Sequence, residues 1–157
     1  MKKRTKVVLY LAVFVIVFVG SALVRIALLG GAPERLIRVK WNDSVGTVYA
    51  NQEYENTNGH KYDLYIPSGL DESQNQYLIL FIHGGSFNSG AKEDGDAWCK
   101  YYATKGYIAA TVDYTLQAHG QEASIYLMNS EIESAVKAIK EQAEALGYRI
   151  AGMAPCG

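Results

Sequence analysis

Residues 77–82, Tyr-Leu-Ile-Leu-Phe-Ile, form an unbroken apolar run that ends abruptly in His83, Gly84, Gly85 and Ser86. A strand with one wet face alternates apolar and polar residues. A continuous run of this length instead reads as a strand covered on both faces, as in a parallel sheet flanked by helices. A second such run, from Tyr107 to about Asp113, follows a helix predicted over Asp96 to Lys105 and stopped by Gly106.

The segments on either side extend this pattern. Upstream, Asn58-Gly59 lies between two alternating runs and predicts a tight hairpin with positive φ at both turn positions. In its second strand Tyr62, Leu64 and Ile66 fall on one face and Asp63 and Tyr65 on the other, with Pro67, Ser68 and Gly69 as the stop. Downstream, Ile132, Val136, Ile139, Ala143 and Leu146 form one apolar stripe at helical period. Ser130 with Glu133 reads as a capping box, Glu133–Lys137 and Lys140–Glu144 as i,i+4 pairs, and Gly147 as the C-terminal stop. A further strand follows in residues 148–157. The order β-β-β-α-β-α-β predicts an α/β domain: an antiparallel pair at one edge, then parallel strands with crossover helices on both sides.

Met1 to Leu29 does not fit that domain. Lys2, Lys3, Arg4 and Lys6 precede an uncharged stretch from Val7 to Val24, and apolar character resumes after Arg25. About 20 apolar residues suffice for a helix to cross the hydrocarbon core, and Arg25 lies near the far end, where it can snorkel. The leading positive cluster favours a single-pass signal anchor with its N-terminus in the cytoplasm and the domain outside. The alternative is a secreted protein after cleavage near Gly20 and Ala22. Arg35, Arg38 and Lys40 on the far side reduce the charge asymmetry. The expected organisation is an anchor over 1–29, a linker with a short helical stretch over 30–44, and the α/β domain over 45–157.

Composition narrows the chemistry. A formal net charge of −1 gives no electrostatic footprint for nucleic acid. Cys99 and Cys156 are too few for a disulfide framework and read as small buried hydrophobes. His60, His83 and His119 lack metal-ligand spacing, so no metal and no cofactor is expected. Neither G-x-x-x-x-G-K-[ST] nor G-x-G-x-x-G occurs, which argues against a phosphate loop. What the glycines after Ile82 offer is close backbone approach at the carboxyl end of a parallel strand, where such sheets place their sites. A tight turn without chemistry is the plainer reading of the same tripeptide.

Taken together, YDLYIP, LILFIHGGSFNSG, YYATKGYIAATVDYTL, NSEIESAVKAIKE and GYRIAGMAPCG, in this order and spacing, resemble the N-terminal half of an α/β-hydrolase. The group resembled is that of esterases and lipases with an H-G-G-x oxyanion loop, and the likeness runs from about Val45 to Gly157. It implies serine acyl transfer on a small-molecule carboxylic ester. Gly84, Gly85 and Ser86 would border the oxyanion hole through their backbone N–H groups, while His83 would orient the loop rather than act as base. Thr115 departs from the pattern, since relatives often carry arginine in the stretch that here reads Asp113-Tyr114-Thr115-Leu116.

The resemblance also implies what to expect at the C-terminal end. Gly157 aligns with the first glycine of the G-x-S-x-G elbow, so the nucleophile, acid and base are expected beyond it and none of the three within residues 1–157. Cys156 as a thiol nucleophile, Ser86 and Ser89 as attacking serines, and Asp113 as a triad acid are weaker readings of the same region. Residues 1–157, holding only the oxyanion-hole half of a carboxylic-ester hydrolase, are therefore expected to be inactive as written; the alternatives are a non-catalytic exported binding domain or a pseudogene fragment.

Overall fold

The computed structural model describes residues 3–29, 37, 39–117 and 123–157. Residues 30–36, Arg38 and His119 lie outside them, and with them most of the expected linker. The chain divides into two units, one ending at residue 37 and the other beginning at residue 38.

The first unit is a single helix, α1 (Lys3–Leu29). Its stretch Thr5–Ala27 has a mean hydropathy of 2.9, and none of it is buried against protein. At 1.5 Å per residue, 23 residues extend about 35 Å, enough for the roughly 30 Å hydrocarbon core. Val, Leu, Ile and Phe are exposed on every side of it. It is long and apolar enough to cross a membrane or to serve as a signal sequence.

The second unit is a five-stranded mixed sheet built from β1 (Gly46–Glu53), β2 (Lys61–Pro67), β3 (Asn75–Ile82), β4 (Ile108–Val112) and β5 (Arg149–Cys156). The spatial order is β1-β2-β4-β3-β5. β2 is antiparallel to both β1 and β4, whereas β3 runs parallel to β4 and β5. Two helices complete it, α2 (Asp96–Ala103) after a short 3-10 turn at Lys92–Gly95, and α3 (Ile125–Ala145). The mixed α/β sheet, its element order and its antiparallel edge pair agree with the sequence expectation.

Strand parity explains the two cores. On one face Tyr62, Leu64, Ile66, Leu78, Leu80, Ile108, Ala110 and Val112 pack with Ala135 and Ile139 of α3. On the other, Tyr65 and Ala109 pack with Cys99 and Ala103 of α2, and Trp41 closes the layer edge-on to Tyr65. Trp41 is thus part of the packed sheet unit. Burying a side chain such as Ile139 completely stabilises by about 1.5–3 kcal/mol.

Three local expectations are revised. The β1–β2 connection is not a two-residue turn: it spans residues 54–60, and of the expected turn pair only Gly59 has positive φ, at 69°. The Asn56 side chain organises it, accepting from the backbone N–H of Asn58 and His60 and donating to the carbonyls of Tyr54 and His60. Helix α3 begins six residues before the proposed capping box, at Ser124, whose hydroxyl accepts from Leu127 N at 3.1 Å. The ion pair on its outer face is Lys137–Glu141, at 4.0 Å, in place of the two expected. At the C-terminal end Gly147 (φ 92°) closes the helix with Gly147 N→Glu144 O and Tyr148 N→Ala143 O, a Schellman motif.

Candidate active site

Residues 83–91 leave the carboxyl end of β3 between the ends of β4 and β5. Gly157, just past β5, lies directly against the carbonyl of Ile82, so two parallel strand ends meet at the start of this loop. Gly84, Gly85 and Ser86 are thus brought together with His83 at the position where parallel sheets bind ligands.

The loop's carbonyls determine where its N–H groups point, because the C=O and the following N–H of a trans peptide lie in one plane and face opposite ways. Tyr114 Oη donates to His83 O at 2.6 Å, which turns the Gly84 N–H away from Tyr114. His83 Nδ1 meets Gly84 O at 3.0 Å, which fixes the Gly85 N–H. Gly85 O accepts from Asn88 N (3.0 Å) and Ser89 N (3.2 Å), fixing the Ser86 N–H. Among the described residues none of these three N–H groups has a protein acceptor.

This turn costs backbone energy. Gly85 has φ 121°, and Ser86 and Phe87 follow at 54° and 64°. Consecutive left-handed non-glycine residues cost on the order of 1–2 kcal/mol each and persist only where surroundings hold them. Phe87 O is held by Gln117 N at 2.9 Å. Gly90 packs so closely over His83 Nδ1 and Gly84 O that no side chain fits there.

His83 is 2% exposed and its ring stacks on Tyr114, with centroids 4.3 Å apart and planes within 9°. One nitrogen is engaged with the loop's own backbone. The other, Nε2, is sealed from solvent and has no partner among the described residues. A general base needs a nitrogen within reach of its substrate proton, so this setting favours the orienting role.

Beneath the loop lies a polar cluster that sequence reasoning missed. Lys92 Nζ meets Asp63 Oδ2 at 2.9 Å, with both side chains under one-tenth exposed, and Glu93 Oε1 at 2.8 Å. Burial pulls the Lys92 ammonium down, but its bonds to Glu93 and Asp63 outweigh that and hold its pKa above the usual lysine value. Its bond to Lys92 holds the Glu93 carboxyl below its usual value. Asp113 accepts from Lys92 N at 2.7 Å, yet burial pushes its carboxyl up. In sequence Lys92 opens the polar run KEDGD, which reads as a solvated loop. No signal short of the structure marks it as buried.

The weaker nucleophile readings find no support in the geometry. Burial raises the thiol pKa of both Cys99 and Cys156, the opposite of what an attacking thiolate requires. Both cysteines are free. Ser89 Oγ points back to Gly85 O at 3.3 Å. Among the described residues no serine or cysteine bonds to a histidine, and no three His, Cys, Asp or Glu side chains converge as a metal site.

The BD-FAE family model, that of an α/β-hydrolase-like esterase domain, matches residues 62–157. The chain belongs to the BD-FAE family. The match takes in β2 through β5 and the whole 83–91 loop. Among solved structures, the apo form of Thermogutta terrifontis esterase 2 superposes with a TM-score of 0.57 at 20% identity, over 75% of this chain and 43% of that one. The same esterase phosphoramylated by tabun gives 0.57 and 20%, over 75% and 44%. Its butyrate-bound form gives 0.56 and 19%, over 76% and 42%. At such identity the likeness shows the fold, and the chain spans less than half the length of these esterases. No curated protein matches the chain.

Thr115, where the family pattern often has arginine, is completely buried. Its N–H and hydroxyl each donate to the Glu131 carboxylate at 2.8 Å. Asn58 Nδ2 donates to the same hydroxyl at 2.7 Å, and His60 Nε2 lies 3.2 Å from it. The buried carboxylate is therefore held by neutral donors.

Proposed function

We propose that this chain carries the oxyanion-binding half of an exported serine ester hydrolase. The observation that supports it most directly is that the N–H groups of Gly84, Gly85 and Ser86 have no acceptor among the described residues, while the carbonyl preceding each is held by a hydrogen bond. In acyl transfer these donors would stabilise the tetrahedral oxyanion formed when a nucleophile attacks the ester carbonyl, each worth about 3–4 kcal/mol. His83 would hold the loop in register. The nucleophile, its base and the acid would be supplied by polypeptide other than residues 1–157, the nucleophile at the end of β5 beside Ile82 and the other two from later segments. No cofactor enters this scheme. The substrate would be a small carboxylic ester.

On this reading residues 1–29 form the membrane segment, with the N-terminal lysines and arginine in the cytoplasm, residues 30–44 the linker, and residues 45–157 the hydrolase-type domain outside. Resequencing the gene past the Gly157 codon tests the proposal. The expected result is a Gly-Ser-x-Gly elbow within a few codons, and hydrolysis of p-nitrophenyl butyrate by the joined chain but not by residues 1–157. A joined chain that folds, binds esters and does not turn them over would overturn it in favour of a binding domain.

A further inference from the structure

Besides the Gln117 bond to Phe87 O, the loop that carries the three N–H groups is anchored at both ends. One anchor is the pair of His83 and Tyr114, described above. The other is Lys92, and it is tied to three parts of the sheet at once. Its N–H donates to Asp113 Oδ1 at 2.7 Å, just beyond β4, and its carbonyl accepts from Thr111 Oγ1 of β4 at 2.7 Å. Its ammonium reaches Asp63 of β2 at 2.9 Å. Asp63 is fixed in turn, because its other oxygen accepts from Asn51 N at 2.7 Å, at the bulge in β1. The intervening Ala91 N is held by Asp94 Oδ2 at 3.0 Å.

We propose that the buried Lys92 charge is a positioning device for the oxyanion loop, acting through Gly90 on the Gly84–Gly85 peptide. This rests on the oxyanion reading of residues 84–86. The route is short. Two residues before Lys92, Gly90 sits with no spare room over His83 Nδ1 and Gly84 O. Any shift of the Lys92 end moves Gly90 against the carbonyl whose orientation sets the Gly85 N–H. Filling space alone does not need a charge here, since apolar replacements of buried ion pairs are often neutral or stabilising. A buried ammonium facing Asp63, with Glu93 at its solvent side, fixes direction as well as volume.

The experiment is peptide-level amide hydrogen exchange of the full chain in detergent micelles. Lys92→Met is expected to raise exchange at least tenfold at the loop's hydrogen-bonded amides, those of Asn88 and Ser89, while β3 and β4 retain their protection, and Lys92→Arg is expected to restore the wild-type pattern. Asp63→Asn, isosteric and uncharged, carries the same expectation as Lys92→Met and decides the matter if that variant fails to fold. Unchanged exchange in the loop overturns the proposal, and so does a rise spread evenly over the sheet, which would make Lys92 a stabilising residue only. These readouts need no turnover. A joined chain without esterase activity would defeat the oxyanion reading while leaving the exchange result standing on its own.

Discussion

Replacing Thr115 by valine should be costly out of proportion to the change in shape. The substitution exchanges a hydroxyl for a methyl of similar size at a fully buried site, so it opens almost no cavity. What it removes is a 2.8 Å hydrogen bond to Glu131 Oε1, a carboxylate 3% exposed, together with the 2.7 Å bond that the hydroxyl accepts from Asn58 Nδ2. Hydrogen bonds to charged groups contribute about 1.5–3 kcal/mol, and a buried acceptor left short carries its desolvation cost as well. The Thr115 N–H still serves Oε2, so the loss should stay near 2–3 kcal/mol. For a unit of this size that corresponds to a fall in Tm of roughly 8–12 °C. Trp41 and Trp98 are the only tryptophans, so indole fluorescence during urea unfolding of the full chain in micelles reports the second unit without interference from α1. Glu131→Met with Asn58→Ala removes the two nearest hydrogen-bond partners of the hydroxyl, and adding Thr115→Val to that pair should cost less than about 1 kcal/mol more. A single Thr115→Val variant within about 0.5 kcal/mol of wild type would refute the idea that neutral donors hold this carboxylate.

Two further outcomes follow from the titrating groups. Asp113 has its folded pKa raised by burial, so its ionisation works against folding. Its favourable contribution is present below the ordinary aspartate value and is lost as pH rises through the folded one, so Asp113→Asn should gain on wild type between pH 4 and 7 in the same urea assay. Glu93 has the opposite sign, since its bond to Lys92 depresses its pKa. Glu93→Gln should cost stability at pH 7 and lose that penalty as the solution is acidified below the ordinary glutamate value. Finally, Cys99 is buried with a raised pKa and Cys156 is half-buried with a raised one. Iodoacetamide at pH 8 should alkylate Cys156 slowly and Cys99 only after unfolding, as read by mass spectrometry.

How much of this was legible beforehand varies from residue to residue, for physical reasons. The run Tyr77–Ile82 announced a central strand, and β3 lies between β4 and β5, but its two faces are unequally covered: Leu78 and Leu80 are buried, Ile79 and Phe81 only half-buried, and Tyr77 is 57% exposed. The glycine loop at its end could be located, and its donors assigned by resemblance. What could not be read were the clamps on His83 O and Phe87 O, because Tyr114 and Gln117 come from beyond β4 and only folding brings them to the loop. The start of α3 was misplaced because Ser130 with Glu133 matches a capping box in sequence, whereas the hydroxyl that caps the helix is that of Ser124, and the first helical residues Ile125 and Tyr126 are 66% and 86% exposed. Glu131 was passed over because a carboxylate on a helix normally faces water. Asn58-Gly59 misled because a side chain two residues earlier, Asn56, supplies the turn's hydrogen bonds instead of the pair itself.

The strand order carries one more consequence, and it concerns time. β4 follows β3 in the chain but lies between β2 and β3 in the sheet. As the polypeptide emerges from its N-terminal end, the β1–β2 hairpin is complete while the partner that covers the inner edge of β2 does not yet exist. Until Ala109 and Ala110 arrive to face Tyr65 and Leu64, that edge offers open N–H and C=O groups beside some of the most buried side chains of the fold. Closing it requires a non-local pairing across the whole of β3, the 83–91 loop and α2, which is the kind of contact that slows folding. The hairpin edge is therefore the site where a chaperone or a neighbouring chain would compete with β4 for β2.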